Sequence, residues 1–168
     1  SGPTNASIST GQNTGTILND DSQPSISIGS VSQFEGNSGS TNLNFAVTLL
    51  SPSFQTITVY YATANGTASA GSDYTAATGT LTFNPGETTK NVPIAVTGDT
   101  TVEPNEAFVV NLSKATKATI STSPGTGTIR DDDSLPLVSI DNVSLNEGDL
   151  GTTTFDFAVT LSSPSSQT

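Results

Sequence analysis

The 168-residue chain has no cysteine, histidine, methionine or tryptophan, and only four basic residues. Without cysteine it forms no disulfide; without cysteine or histidine it lacks the side chains that hold zinc, copper and iron. Lys90, Lys114, Lys117 and Arg130 stand against 15 acids, for a net charge of −11. A surface of that sign disfavours nucleic acid as a partner, because phosphate recognition needs a basic face. No apolar run approaches the roughly 20 residues of a membrane-spanning helix, and no signal peptide opens the chain. Both are expected elsewhere in a parent protein of which this stretch is a piece. Extracellular bacterial repeats often avoid cysteine, whereas small secreted animal domains use it, so the expected location is extracellular or on a cell surface, in a bacterium.

What the chain does have is Ser, Thr, Gly and Asn around sparse but ordered apolar residues. Leu43, Phe45, Val47 and Leu49 recur at period two, which a disordered polar chain does not do. The sequence also repeats itself. A shift of 112 residues lays Ile8 to Thr56 over Ile120 to Thr168 without a gap, with 29 of 49 positions identical. Thr14-Gly15-Thr16-Ile17 returns as Thr126-Gly127-Thr128-Ile129, and Phe45 to Leu49 as Phe157 to Leu161. Solenoid repeats run at roughly 20 to 50 residues, so this period is that of a whole domain. The expected organisation is a complete unit at 24–133, the tail of a preceding unit at 1–23, and the first two strands of a following unit at 134–168.

Within the complete unit the spacing predicts seven strands and no helix: Ser25 to Phe34, Thr41 to Leu50, Gln55 to Ala64, Thr78 to Phe83, Thr88 to Thr97, Glu106 to Ser113, and Gly125 to Arg130. Apolar residues alternate in most of them, as in Ile57, Val59 and Tyr61. Parity breaks between Ile28 and Val31, placing a kink at Gly29-Ser30. Asn84-Pro85-Gly86-Glu87 reads as a type II turn, and Pro93 argues for an edge or a bulge. Seven short strands predict an all-β, immunoglobulin-like, antiparallel β-sandwich. The partial units at the two ends would carry unpaired edges and apolar faces, which favours strand exchange with another copy.

If strands alternate up and down, the loops after the first, third, fifth and seventh emerge at one pole. That pole collects Glu35, Asp73, Asp99, Glu103, Glu106, Asp131, Asp132 and Asp133, eight of the unit's nine carboxylates. Glu87 alone falls at the other, near Lys90, Lys114 and Lys117. Solubility does not require four separate segments to bring their acids together, and eight carboxylates with only Arg130 close by repel unless a cation joins them. A hard divalent ion with six to eight oxygens fits, and flexible loops suit Ca2+ better than Mg2+.

These residues resemble the Calx-β domain, found in sodium/calcium exchangers, an integrin and many bacterial surface proteins. The similarity lies in Glu35-Gly36, in Gly71-Ser72-Asp73-Tyr74, in Asp99, Glu103, Glu106 and Phe108 at their mutual spacing, and in Gly127 to Asp133. The resemblance implies that the eight acids are metal ligands. Multi-ion exchanger domains carry adjacent aspartates where this chain has Gly98 before Asp99, and Asn19 replaces the counterpart of Asp131 in the preceding unit.

The resulting expectation is a non-enzymatic, calcium-binding structural or adhesive module whose neighbours are further repeats of the same chain. The alternative is a carbohydrate- or protein-binding module with purely structural calcium; Tyr60, Tyr61 and Tyr74 are its candidate stacking residues, of which alternation assigns Tyr61 to the core and leaves Tyr60 outside. Glu103 and Glu106 have the form of an acid and base pair, but the surrounding sequence offers no apolar pocket to raise either pKa. The Asn-x-Ser/Thr triplets at Asn5, Asn65, Asn111 and Asn142 read as chance in a chain this rich in Ser and Thr.

Overall fold

The computed structural model describes residues 5, 7, 12–18 and 22–164. Strands form where the alternation places them: β1 (Ser25–Ile28), β2 (Val31–Phe34), β3 (Ser40–Leu49), β4 (Ile57–Asn65), β5 (Thr78–Phe83), β6 (Thr89–Thr97), β7 (Glu106–Thr116), β8 (Thr119–Thr122) and β9 (Gly125–Arg130), then β10 (Val138–Ile140) and β11 (Val159–Leu161). One sheet has the order β6-β3-β1-β8, the other β2-β9-β7-β4-β5. Leu43, Phe45, Val47, Val92, Ile94 and Val96 from the first sheet meet Ile57, Val59, Phe108 and Val110 from the second, each at most 1% exposed. Every one is the inward residue of a period-two pattern, so the core follows from side-chain alternation on the pleat. Among the described residues no helix is long and apolar enough to cross a membrane.

The sandwich differs from the sequence expectation along one edge. The first expected strand breaks at Gly29-Ser30 into β1 and β2, which join different sheets, and an additional strand, β8, lies before β9 and does the same. The unit therefore has nine strands, not seven. The pairings β1 with β8 and β2 with β9 are parallel, while the rest of the unit's ladders are antiparallel. Alternation itself requires this, because the first and last strands run in the same direction and become neighbours. The two crossovers touch: a Cβ on Gly125 would stand 2.6 Å from the Gly29 carbonyl oxygen, and Thr126 N–H donates to Ser30 Oγ at 3.0 Å. β8 escaped the sequence reading because only Ile120 is apolar in it.

Two local expectations hold. Gly86 has φ of 86° and Glu87 N–H donates to the Asn84 carbonyl at 3.0 Å, closing the turn between β5 and β6. Pro93 lies in β6, an edge strand, where a missing N–H costs no ladder bond.

Beyond the unit, β10 and β11 pair Val138 with Leu161, Ser139 with Thr160 and Ile140 with Val159. β1 and β3 pair Ile26 with Leu49, Ser27 with Thr48 and Ile28 with Val47. The two registers are the same after a shift of 112. Residues 12–18 take no strand, and Ile17 and Leu18 are exposed. Most of the rest of the segment expected to belong to a preceding unit, including residues 8–11 and Asn19, lies outside the described residues.

Candidate metal centre

Four segments reach one pole: the turn after β2 (35–39), the connection from β4 to β5 (66–77), the β6–β7 loop (98–105) and the chain leaving β9 (131–133). Backbone bonds tie them together. Glu35 N–H donates to the Arg130 carbonyl at 3.1 Å, Gly98 N–H to Gly39 at 3.1 Å, and Thr97 N–H to Asp73 at 2.9 Å. Gly36, with φ of 81°, turns its N–H onto Asp132 Oδ1 at 3.1 Å. Tyr74 anchors the β4–β5 connection in the core: its ring stacks on Phe108 at 4.2 Å and 13°, and its hydroxyl donates to Asn65 Oδ1 at 2.7 Å.

The structure places all eight sequence-predicted acids at this pole and separates them by role. Glu35, Asp131 and Asp133 form an inner group, each with a carboxylate oxygen within 4.8 Å of the others. Asp73 and Glu106 lie side by side, and Glu103 feels the fields of Asp99, Asp73 and Asp131. Asp99 and Asp132 have an oxygen engaged by a backbone amide, from Thr101 at 2.6 Å and from Gly36 respectively.

The electrostatics record the crowding. Burial first, then the charges of Asp99, Glu103, Asp131 and Asp133, push Glu35 up to about 7. Burial, then Asp73 and Glu103, also raise Glu106 to about 7. Glu103 is raised by burial and by Asp99, Asp73 and Asp131, and Asp133 by burial and by Asp131, Asp132 and Asp99. Asp73 goes the other way: burial pushes it up, but Ser69 N–H at 2.7 Å, Ser72 and Glu106 hold it below the usual range. The sequence offers no apolar pocket to raise Glu103 and Glu106, yet both are raised. What raises them is the packing of the loops on one another together with like charge, neither of which requires an apolar run in the sequence.

One buried oxygen is left without a partner among the described residues, and it stands beside a buried acid. Glu35 is only 6% exposed and faces the charges of Asp99, Glu103, Asp131 and Asp133. Asp133 Oδ2 is buried and unpaired. Arg130 stacks its guanidinium over Phe34 at 4.6 Å, and the ion pair found among the described residues, Lys90 with Glu87 at 2.8 Å, is at the opposite pole. A buried unpaired carboxylate is costly unless a cation compensates it. An all-oxygen anionic donor set on loops fits a hard divalent ion.

Sequence reasoning missed two amides. Asn105 Oδ1 accepts the Asp131 N–H at 3.0 Å, and Asn37 Nδ2 donates to Asp133 Oδ1 at 2.8 Å. Asn37 had one readable signal, since the position 112 residues later is Asp149. The tyrosine platform does not form: Tyr74 is 1% exposed, Tyr61 packs against the core, and Tyr60 lies beneath Lys114 Nζ at 5.2 Å.

The family model of the Calx-beta domain matches residues 19–133. The chain belongs to the Calx-beta domain family. Sodium/calcium exchanger 1 of Canis lupus familiaris is 45% identical over 58 residues, and sodium/calcium exchanger 2 of Mus musculus 47% over 57; each match covers 34% of this chain and 6% of the exchanger. The crystal structure of the apo form of the Calx CBD1 domain superposes with a TM-score of 0.59 at 26% identity, covering 67% of this chain and all of that one. The crystal structure described as the calcium binding domain CBD12 of CALX1.1 gives 0.60 at 26%, covering 73% of this chain and 53% of that one. Against other members of the Calx-β family, Gly98 now has a structural explanation. A Cβ there would collide with the carbonyl oxygens of Glu35 and Gly36, so this backbone leaves no room for the first of two adjacent aspartates.

Proposed function

We propose that this Calx-β unit is a calcium-binding structural module, with Ca2+ held at the acid pole by Glu35, Asp131 and Asp133 and with Asp73, Asp99, Glu103, Glu106 and Asp132 completing the oxygen shell. The observation that carries this reading is the buried, unpartnered Oδ2 of Asp133, in one three-carboxylate group with Asp131 and the buried residue Glu35. The 26% identity to a solved domain described as calcium binding supports it. In the parent protein we place the module in an extracellular or cell-surface array that spaces or attaches other domains, where Kd values of about 10⁻⁴ to 10⁻³ M keep such sites filled. Support for an array comes from the shared register of β1–β3 and β10–β11. A cleft at the joint is lined by Asn37, Thr100 and Val102 from the acid pole and by Pro136, Ser163 and Pro164 from the following segment. An ion at Asp131 and Asp133 would hold the chain just where it leaves one unit for the next.

Calorimetric titration of the metal-stripped chain with Ca2+ and then Mg2+ tests the reading. Calcium is expected to bind in preference and to raise the melting temperature, with roughly 2.7 kcal/mol of stabilisation when free calcium is one hundred times Kd. A melting curve indifferent to chelator and to millimolar calcium overturns it.

A further inference from the structure

Resting on the calcium reading, we infer that Asn37 is the positioning residue that sets the affinity of the acid pole, and that Asp149 gives the following unit a differently tuned site. Asn37 lies one residue past Gly36, on the turn that carries buried Glu35. Its Nδ2 occupies Asp133 Oδ1 at 2.8 Å, while the other oxygen of the same carboxylate is buried with no partner. The amide therefore holds Asp133 in one orientation and leaves one oxygen free for a cation. It does so without charge.

The turn recurs in the following unit. Gly36 and Gly148 have φ of 81° and 80°, and Gly39 and Gly151 have 74° and 93°. Thr41 Oγ1 donates to the Glu35 carbonyl at 3.1 Å, and Thr153 Oγ1 to the Glu147 carbonyl at 2.7 Å. Positions 37 and 149 are thus equivalent in backbone as well as in sequence, and the difference there is an amide against a carboxylate. A carboxylate cannot donate to an aspartate. It adds a negative charge to the pole, which raises the cost of the empty site and the attraction for a divalent ion, because affinity in oxygen sites follows ligand charge and rigidity.

The test is calcium titration and melting of the 168-residue chain and of Asn37→Ala, Asn37→Asp and, as a charge control, Asn91→Asp on the exposed face of β6. Asn37→Ala is expected to weaken calcium binding about tenfold, the usual scale for losing a group that orients a metal ligand, with little change in the calcium-free melt. Asn37→Asp is expected to lower the calcium-free melting temperature and bind calcium more tightly than the parent chain, while Asn91→Asp changes neither. A Kd within twofold of the parent in Asn37→Ala overturns the role of Asn37. An Asn37→Asp chain that binds no more tightly overturns the tuning between units. If the unsubstituted chain binds no calcium, the functional reading fails first and this inference with it.

Discussion

Glu35 concentrates the tension of the acid pole in one side chain. It is buried among like charges and is pushed up to about 7, so in the metal-free fold it keeps a proton that the unfolded chain releases above 4.5. Glu106 behaves alike. Between pH 4.5 and about 7 the folded state binds more protons than the unfolded state, so metal-free stability falls as pH rises through that window. Asp73, lowered below its usual value, adds the opposite slope at the acid end, where stability is lost as pH falls through its folded pKa. We expect the chelated chain to melt at least about 5 °C lower at pH 8 than at pH 5, and calcium to restore the loss because it binds the deprotonated carboxylates. Glu35→Gln removes the buried charge; its chelated melt at pH 8 should exceed that of the parent, and its rise with calcium should shrink. Calorimetric melts across pH 5 to 8, with and without calcium, check both statements.

Among the elements, the turn after β2 and the loop after β6 matter most, because each shapes the other. Gly98 N–H bonds to Gly39, and the Glu35 and Gly36 carbonyls fill the space that a side chain at 98 would take. Gly98→Ala should therefore displace the Glu35 turn and destabilise the chain by about 1 to 3 kcal/mol, with a further loss in calcium affinity. A substitution measured at under 0.5 kcal/mol by denaturant titration would show that the turn yields freely and that Gly98 does not close this space.

For the molecule as a whole, the acid pole is also where the chain leaves β9 toward β10. Asp133 precedes Pro136 by only Ser134 and Leu135, so under the proposed function an ion bound to Asp133 would constrain the direction in which the chain leaves toward a following unit. A chain of two or three complete units should extend and stiffen as calcium is added. Small-angle scattering reads this directly: the maximum dimension should rise toward saturation, and a profile the same with chelator and with calcium counts against stiffening.

Local sequence determined which residues face the core and where the chain breaks at Gly29-Ser30, through period-two alternation, and it determined the Asn84 turn through Pro85-Gly86, because each of these signals is written within a few residues. It also let the eight acids be assigned to one pole, since strand direction alone decides where a loop emerges. Tertiary structure decided the rest. The parallel edge of β1, β2, β8 and β9 arises from strands a hundred residues apart becoming neighbours, which no local pattern encodes. The inner group of Glu35, Asp131 and Asp133 exists because the turn after β2 and the chain leaving β9, almost a hundred residues apart, are brought together. The raised pKa values of Glu103 and Glu106 come from desolvation and from carboxylates of other segments, Asp73 among them, that only the fold brings near. Asn37 and Asn105 entered the site for the same reason: a polar residue in a loop shows its role only when the loop it meets is in place.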